Sequence, residues 1–131
     1  MSYSIVVADD SLFARMLVKE AVLQIFDDCK FFECTSGQGA IDKYEESSDI
    51  DWFLLDVNMG EPNGFDTAKI LHEKGVPIQN ITLLTGNRAC ELQEKSDEIG
   101  LSCINKAIDP KDVEDFVARL RAFFENASIK D

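Results

Sequence analysis

A chain of 131 residues is the length of one domain and suffices for a single sizeable core. Its 45% apolar and 29% charged residues are ordinary for a soluble globular protein, and the net charge of -12 argues against a nucleic-acid-binding surface, which needs clustered Lys and Arg. The surplus acid suits a cation site or a basic partner where it does not simply serve solubility.

Along the chain, apolar runs alternate with helical patterns. Ile5-Val6-Val7-Ala8 reads as a strand that stops at Asp9-Asp10, and Ser11 then caps a helix carrying Ala14, Leu17, Val18, Ala21 and Ile25 on one face. Lys30 to Cys34 gives a second strand, followed by a turn at Ser36-Gly37 and a short helix with Ala40, Ile41 and Tyr44 inward. A third strand, Trp52-Phe53-Leu54-Leu55, ends at Asp56. Gly64 closes the next loop, and Phe65, Ala68 and Leu71 form a helix stripe that Gly75 and Pro77 terminate. The fourth strand, Ile81 to Leu84, stops at Thr85-Gly86, and a helix with sparse apolar positions is expected from about Ala89 to Ile99. The fifth strand, Leu101 to Asn105, stops at Lys106. The last helix is capped by Asp109, starts at Pro110, and carries Val113, Phe116, Val117, Leu120 and Phe124 as a continuous apolar face. The packed domain is expected over residues 1–125, with 126–131 as a frayed tail or the start of a linker.

Short apolar runs bounded by turn residues read as buried parallel strands, and their alternation with helices gives a doubly wound α/β sandwich. In such sheets ligands lie beyond the carboxyl ends of the strands. Asp9, Asp10, Asp56, Thr85 and Lys106 therefore converge on one rim. The four cysteines show no metal-ligand spacing, and with His72 as the single histidine a zinc site is not expected. Neither a signal peptide nor a membrane-length apolar run is present, so a cytoplasmic protein is expected.

In order and spacing, Asp9-Asp10, Asp56, Thr85 and Lys106, with Asn58 and Gly64, resemble the signature of response-regulator receiver domains of two-component signalling. The resemblance extends from Ile5 to about Phe124. It implies a flavodoxin-like (βα)5 sandwich with a five-stranded parallel sheet in order 2-1-3-4-5. It further implies that Asp10, Asp56 and the Asn58 backbone carbonyl bind Mg2+, with Asp9 acting mainly through a bound water. Asp56 would be the phosphoacceptor, and Lys106 and Thr85 would hold phosphoryl oxygens. The phosphoryl donor implied is a histidine kinase or histidine phosphotransfer protein docking beside the first helix, where Phe13, Arg15 and Lys19 lie off the core face. A downstream protein target would read the region around Cys90, Cys103 and the last helix. The domain would be a monomer or a phosphorylation-dependent dimer, with neither nucleic acid nor membrane insertion involved. Its only catalysis would be of its own phosphorylation and dephosphorylation. Met1 and the short tail favour a free-standing protein over an excised domain.

Several positions depart from the family pattern. Cys103 stands where an aromatic residue usually follows the motion of the Thr. Ala107 replaces the Pro that usually follows the Lys in a cis bond. Gly60 replaces the Pro that usually follows the Met, with Pro62 two residues later. Asn58 and Asn87 occupy the positions that flank the path of the attacking water, and neither supplies a general base. Three rival readings share parts of this pattern. An Asp-nucleophile phosphatase needs a second Asp two residues after the first, and Asn58 is there instead. A flavin-binding flavodoxin needs a phosphate-cradling first loop, where Asp9-Asp10 place carboxylates. A receiver-like scaffold that signals without phosphorylation is the remaining alternative, kept open by Cys103 and Ala107.

Overall fold

Strands with apolar side chains on both faces need helices on both sides of the sheet. In the computed structural model, which describes residues 3–47, 49–86, 93–106 and 110–129, the chain supplies them in strict alternation. The strands are β1 (Tyr3–Ala8), β2 (Cys29–Cys34), β3 (Trp52–Asp56), β4 (Ile81–Thr85) and β5 (Ser102–Asn105). Between and after them lie α1 (Leu12–Leu23), α2 (Gly37–Glu46), α3 (Gly64–Glu73), α4 (Gln93–Ile99) and α5 (Val113–Ile129). All pairings are parallel, in the order β2-β1-β3-β4-β5, the flavodoxin-like arrangement. The register brings the strand ends level: Ala8 pairs with Cys34 and Leu55, Asp56 with Leu84, and Thr85 with Asn105.

Alternation along each strand divides the core into two layers. Ile5, Val7, Trp52, Leu54, Leu84 and Ile104 face α1 and α5, meeting Leu17, Val18, Val22, Phe116, Leu120 and Phe124. Val6, Ala8, Phe53, Leu55, Ile81 and Leu83 face the other way, onto Ala40 and Ile41 of α2 and Ala68 and Leu71 of α3. Where the strands begin, Tyr3, Phe26, Trp52 and Phe124 close the first layer with ring-to-ring contacts.

Local signals set most helix starts. The side chains of Ser11, Ser36 and Asn63 accept from the backbone N–H groups of Ala14, Gly39 and Asp66 at 3.2, 3.0 and 2.8 Å. Three helix boundaries differ from the sequence reading, and β1, β2 and β5 begin at Tyr3, Cys29 and Ser102 rather than Ile5, Lys30 and Leu101. α1 ends at Leu23, so Ile25 packs against the core from the following turn rather than from the helix. Pro110–Asp112 forms a 3-10 turn and the α-helix begins at Val113; the expected cap, Asp109, lies outside the described residues. α5 continues to Ile129, four residues past the expected Glu125 boundary, because Asn126 to Ile129 contain no Gly or Pro to stop it. Among the described residues no helix is long and apolar enough to cross a membrane.

Candidate functional site

Four of the five strands, β1, β3, β4 and β5, hand over a chemically active residue where their apolar runs end. Asp9 follows β1 directly; its backbone N–H donates to the Cys34 carbonyl at 3.0 Å, and its Oδ1 accepts the Ser11 N–H at 2.9 Å. Asp56 is the last residue of β3 and is buried, as are Asp9 and Thr85. After β5, the Lys106 N–H donates to the Thr85 carbonyl at 2.9 Å, which starts the lysine side chain beside β4. Its Nζ reaches Asp9 Oδ2 at 2.6 Å and Asp56 Oδ1 at 2.9 Å.

The loop after Asp56 is shaped by two glycines. Gly60 has φ +85°, in the left-handed region that glycine enters without steric cost. The next peptide but one, Glu61-Pro62, is cis. Gly64 donates its N–H to the Val57 carbonyl at 3.0 Å and lies so close to β3 that a Cβ there would collide with the Asp56 carbonyl oxygen and stand 2.9 Å from Val57 Cα. Only a residue without a side chain lets α3 begin there.

Charge and burial compete at this rim. Burial is the main force raising the proton affinity of Asp56; Lys106 pulls it back down, and the charges of Asp9 and Asp10 push it further up. Lys106 holds its proton more tightly than an ordinary lysine, because its bonds to Asp9 and Asp56 outweigh the cost of burying the ammonium. The ammonium is therefore the resident counter-charge of two buried carboxylates.

Asp9, Asp10 and Asp56 each offer an oxygen within 4.8 Å of the others. An all-oxygen anionic set of this kind fits a hard divalent cation rather than zinc or copper. Asp9, Asp10, Asp56, Asn58 and Lys106 line one groove of about 450 Å³, with Ser11 and Phe13 on its α1 side. Asp10 and Asn58 are exposed there, while Thr85 is buried behind it at the end of β4. Cys103 is half-buried on β5 and packs against the α2–α3 layer. Asn87, Cys90 and Ala107 lie outside the described residues. Phe13 is 54% exposed on α1, off the core face as expected.

Arg15 differs most from its sequence reading. Expected on an open docking surface, it is instead held: Nη1 donates to the Asp9 carbonyl at 2.7 Å and Nε to Glu33 Oε1 at 2.9 Å. Lys19 donates to the other Glu33 oxygen at 2.9 Å. These two bonds lower the proton affinity of Glu33. No spacing rule pairs Arg15 with Glu33; only the β1–β2 register, which sets Glu33 beside Val7, brings them together.

Comparison with known proteins agrees with this fold. No curated protein matches the chain. The receiver domain of CheB from Thermotoga maritima superposes with a TM-score of 0.76 at 18% identity, covering 97% of this chain and 96% of that one. The signal receiver domain of a putative LuxO repressor protein from Vibrio parahaemolyticus gives 0.78 at 16% identity, covering 100% and 96%. The Mn2+-bound form of the response regulator Rcp1 gives 0.75 at 20% identity, covering 93% and 94%. These likenesses concern the fold. The sequence model of the response regulator receiver domain matches residues 5–118, and the chain belongs to that family.

Proposed function

We propose that this domain is a phosphoacceptor of a two-component phosphorelay, taking a phosphoryl group from a phosphohistidine onto Asp56. The observation that carries the reading is a buried carboxylate, Asp56, sharing the Lys106 ammonium with Asp9 at the floor of a groove open to solvent. Asp10, Asp56 and the Asn58 backbone carbonyl would hold Mg2+, with Asp9 acting through water; the acidic cluster and the Mn2+-bound relative support a divalent ion. When bound, that ion neutralises charge on the transferring phosphoryl oxygens.

An Asp56 carboxylate oxygen attacks phosphorus from the side opposite the donor imidazole. The O–P bond forms as the P–N bond breaks, and the imidazole leaves with the nitrogen's electron pair. Lys106, already beside Asp56, exchanges a carboxylate for a phosphoryl oxygen, and the Thr85 hydroxyl donates to another. Water attacking the same phosphorus restores the carboxylate and releases phosphate. The domain thus acts as a switch that catalyses only its own modification and its reversal. The phosphoryl group favours one of two pre-existing arrangements of Thr85 and the β4–α5 face, which a downstream protein reads, with or without dimerisation. Leu12, Phe13 and Met16, each at least 54% exposed on α1 beside the groove, would receive the cytoplasmic histidine kinase or phosphotransfer protein.

Intact mass after incubation with Mg2+ and acetyl phosphate tests the reading. An adduct of about 80 Da on the wild type, absent from Asp56→Asn, is expected. A wild type that binds Mg2+ yet gains no mass would refute phosphoacceptance and leave the scaffold alternative.

A further inference from the structure

Resting on the cation and phosphoacceptor reading, we propose that Arg15 is the positioning residue of the acidic loop, acting through the shape of its guanidinium rather than its charge. Asp9 is gripped on both sides of its backbone. Its N–H is held by the Cys34 carbonyl at 3.0 Å, and its carbonyl by Arg15 Nη1 at 2.7 Å. Glu33, the residue before Cys34 on β2, holds Arg15 Nε at 2.9 Å. Both grips therefore end on neighbouring residues of one strand, and the loop carrying Asp9 and Asp10 is splinted to the sheet. The Arg15 side chain is only 12% exposed, so water competes poorly for its bond to the Asp9 carbonyl, while the Glu33 carboxylate at the other end is 34% exposed. Asp10, exposed one residue further on, sits between this gripped residue and the Ser11 turn, and the Asp9 carbonyl held by Arg15 belongs to the peptide that joins Asp9 to Asp10.

Charge and geometry predict opposite signs. A guanidinium behind a cation site repels the cation, so removing it strengthens binding if charge is all that matters. If Arg15 positions the loop, removing it weakens binding. Lysine separates the two further, since it keeps the charge but lacks the planar fork that spans the Asp9 carbonyl and Glu33 together.

The test is calorimetric titration with Mn2+ alone on wild type, Arg15→Lys, Arg15→Gln and Lys19→Gln, with amide hydrogen exchange at Ser11 in the metal-free proteins. Arg15→Lys is expected to bind Mn2+ about tenfold more weakly, the scale of a lost outer-shell partner. Arg15→Gln should bind more weakly too, against the electrostatic sign. Lys19→Gln removes a charge from the same cluster without touching Asp9 and should bind as tightly as wild type or tighter. Faster Ser11 exchange should accompany the weak Arg15 variants, because that N–H rests on Asp9 Oδ1. Unchanged Mn2+ affinity in Arg15→Lys, or tighter binding in Arg15→Gln, overturns the proposal. If the wild type takes up no Mn2+, the metal reading falls by itself. Ser11 exchange in Arg15→Lys then decides positioning: faster sustains it, unchanged overturns it. Should Arg15→Gln not fold, Arg15→Lys carries the comparison.

Discussion

Where the strands begin, Tyr3, Phe26, Trp52 and Phe124 meet with ring centroids 4.7 to 5.5 Å apart, whereas where they end, the Lys106 ammonium lies within 2.9 Å of a carboxylate oxygen of both Asp9 and Asp56. The same sheet connects the two. At the aromatic end every contact gains by excluding water. At the charged end, burial raises the proton affinity of Asp56, which marks a carboxylate less comfortable there than in water. The packing of one end holds in place a site that would not assemble for its own stability.

Truncation at the aromatic end should have the largest effect. Phe124→Ala removes a nearly fully buried ring and is expected to cost about 3–5 kcal/mol in denaturant unfolding, while the folded fraction still takes phosphate from acetyl phosphate. Loss of both together would show that the ends are not separable. Next comes Lys106→Met, which strands two buried carboxylates and should cost about 2–3 kcal/mol in metal-free protein. Because the folded state raises the Lys106 pKa above 10.5, its contribution is complete below that pH and is lost as pH rises through the folded value. The alkaline fall in thermal midpoint should therefore be shallower in Lys106→Met.

Asp56→Asn should move stability the other way. The folded chain binds the Asp56 proton more tightly than the unfolded chain does, so its contribution is present below about pH 3.8 and lost as pH rises through the raised folded value. At neutral pH without metal, Asp56→Asn should raise the thermal midpoint, since Lys106 keeps Asp9 as its partner, and the gain should vanish below pH 3.8. A lowered midpoint at pH 7 would mean that the Asp56–Lys106 pair is worth more than its burial costs. The smallest effect on stability belongs to Phe13→Ala. An exposed ring should change unfolding by less than about 0.5 kcal/mol, yet phosphotransfer from a phosphohistidine protein should slow while labelling by acetyl phosphate stays the same.

Much of this was legible because the strands that build the site announce their ends in sequence. Val7-Ala8 gives way to Asp9, Leu55 to Asp56 and Asn105 to Lys106, and a parallel sheet must set those ends side by side. Ser11 followed by an apolar periodicity likewise marked the start of α1. What the sequence hid were contacts set by register between strands. Arg15 and Lys19 both look like solvated charges until β2 brings Glu33 within reach of both. Lys106 has no local reason to choose Asp9 as well as Asp56, 97 and 50 residues away. The 3-10 turn at Pro110 and the run of α5 to Ile129 escaped for a different reason, since capping rules mark where helices are favoured but not how tightly their first turn winds or how far they outrun the core.

Gly64 carries a lesson for anyone who would redesign this domain. Its missing side chain lets the start of α3 rest against the backbone of Asp56, so one codon answers to two masters. A saturation library at position 64, selected once for folding and once for phosphate uptake, should return the same residue both times.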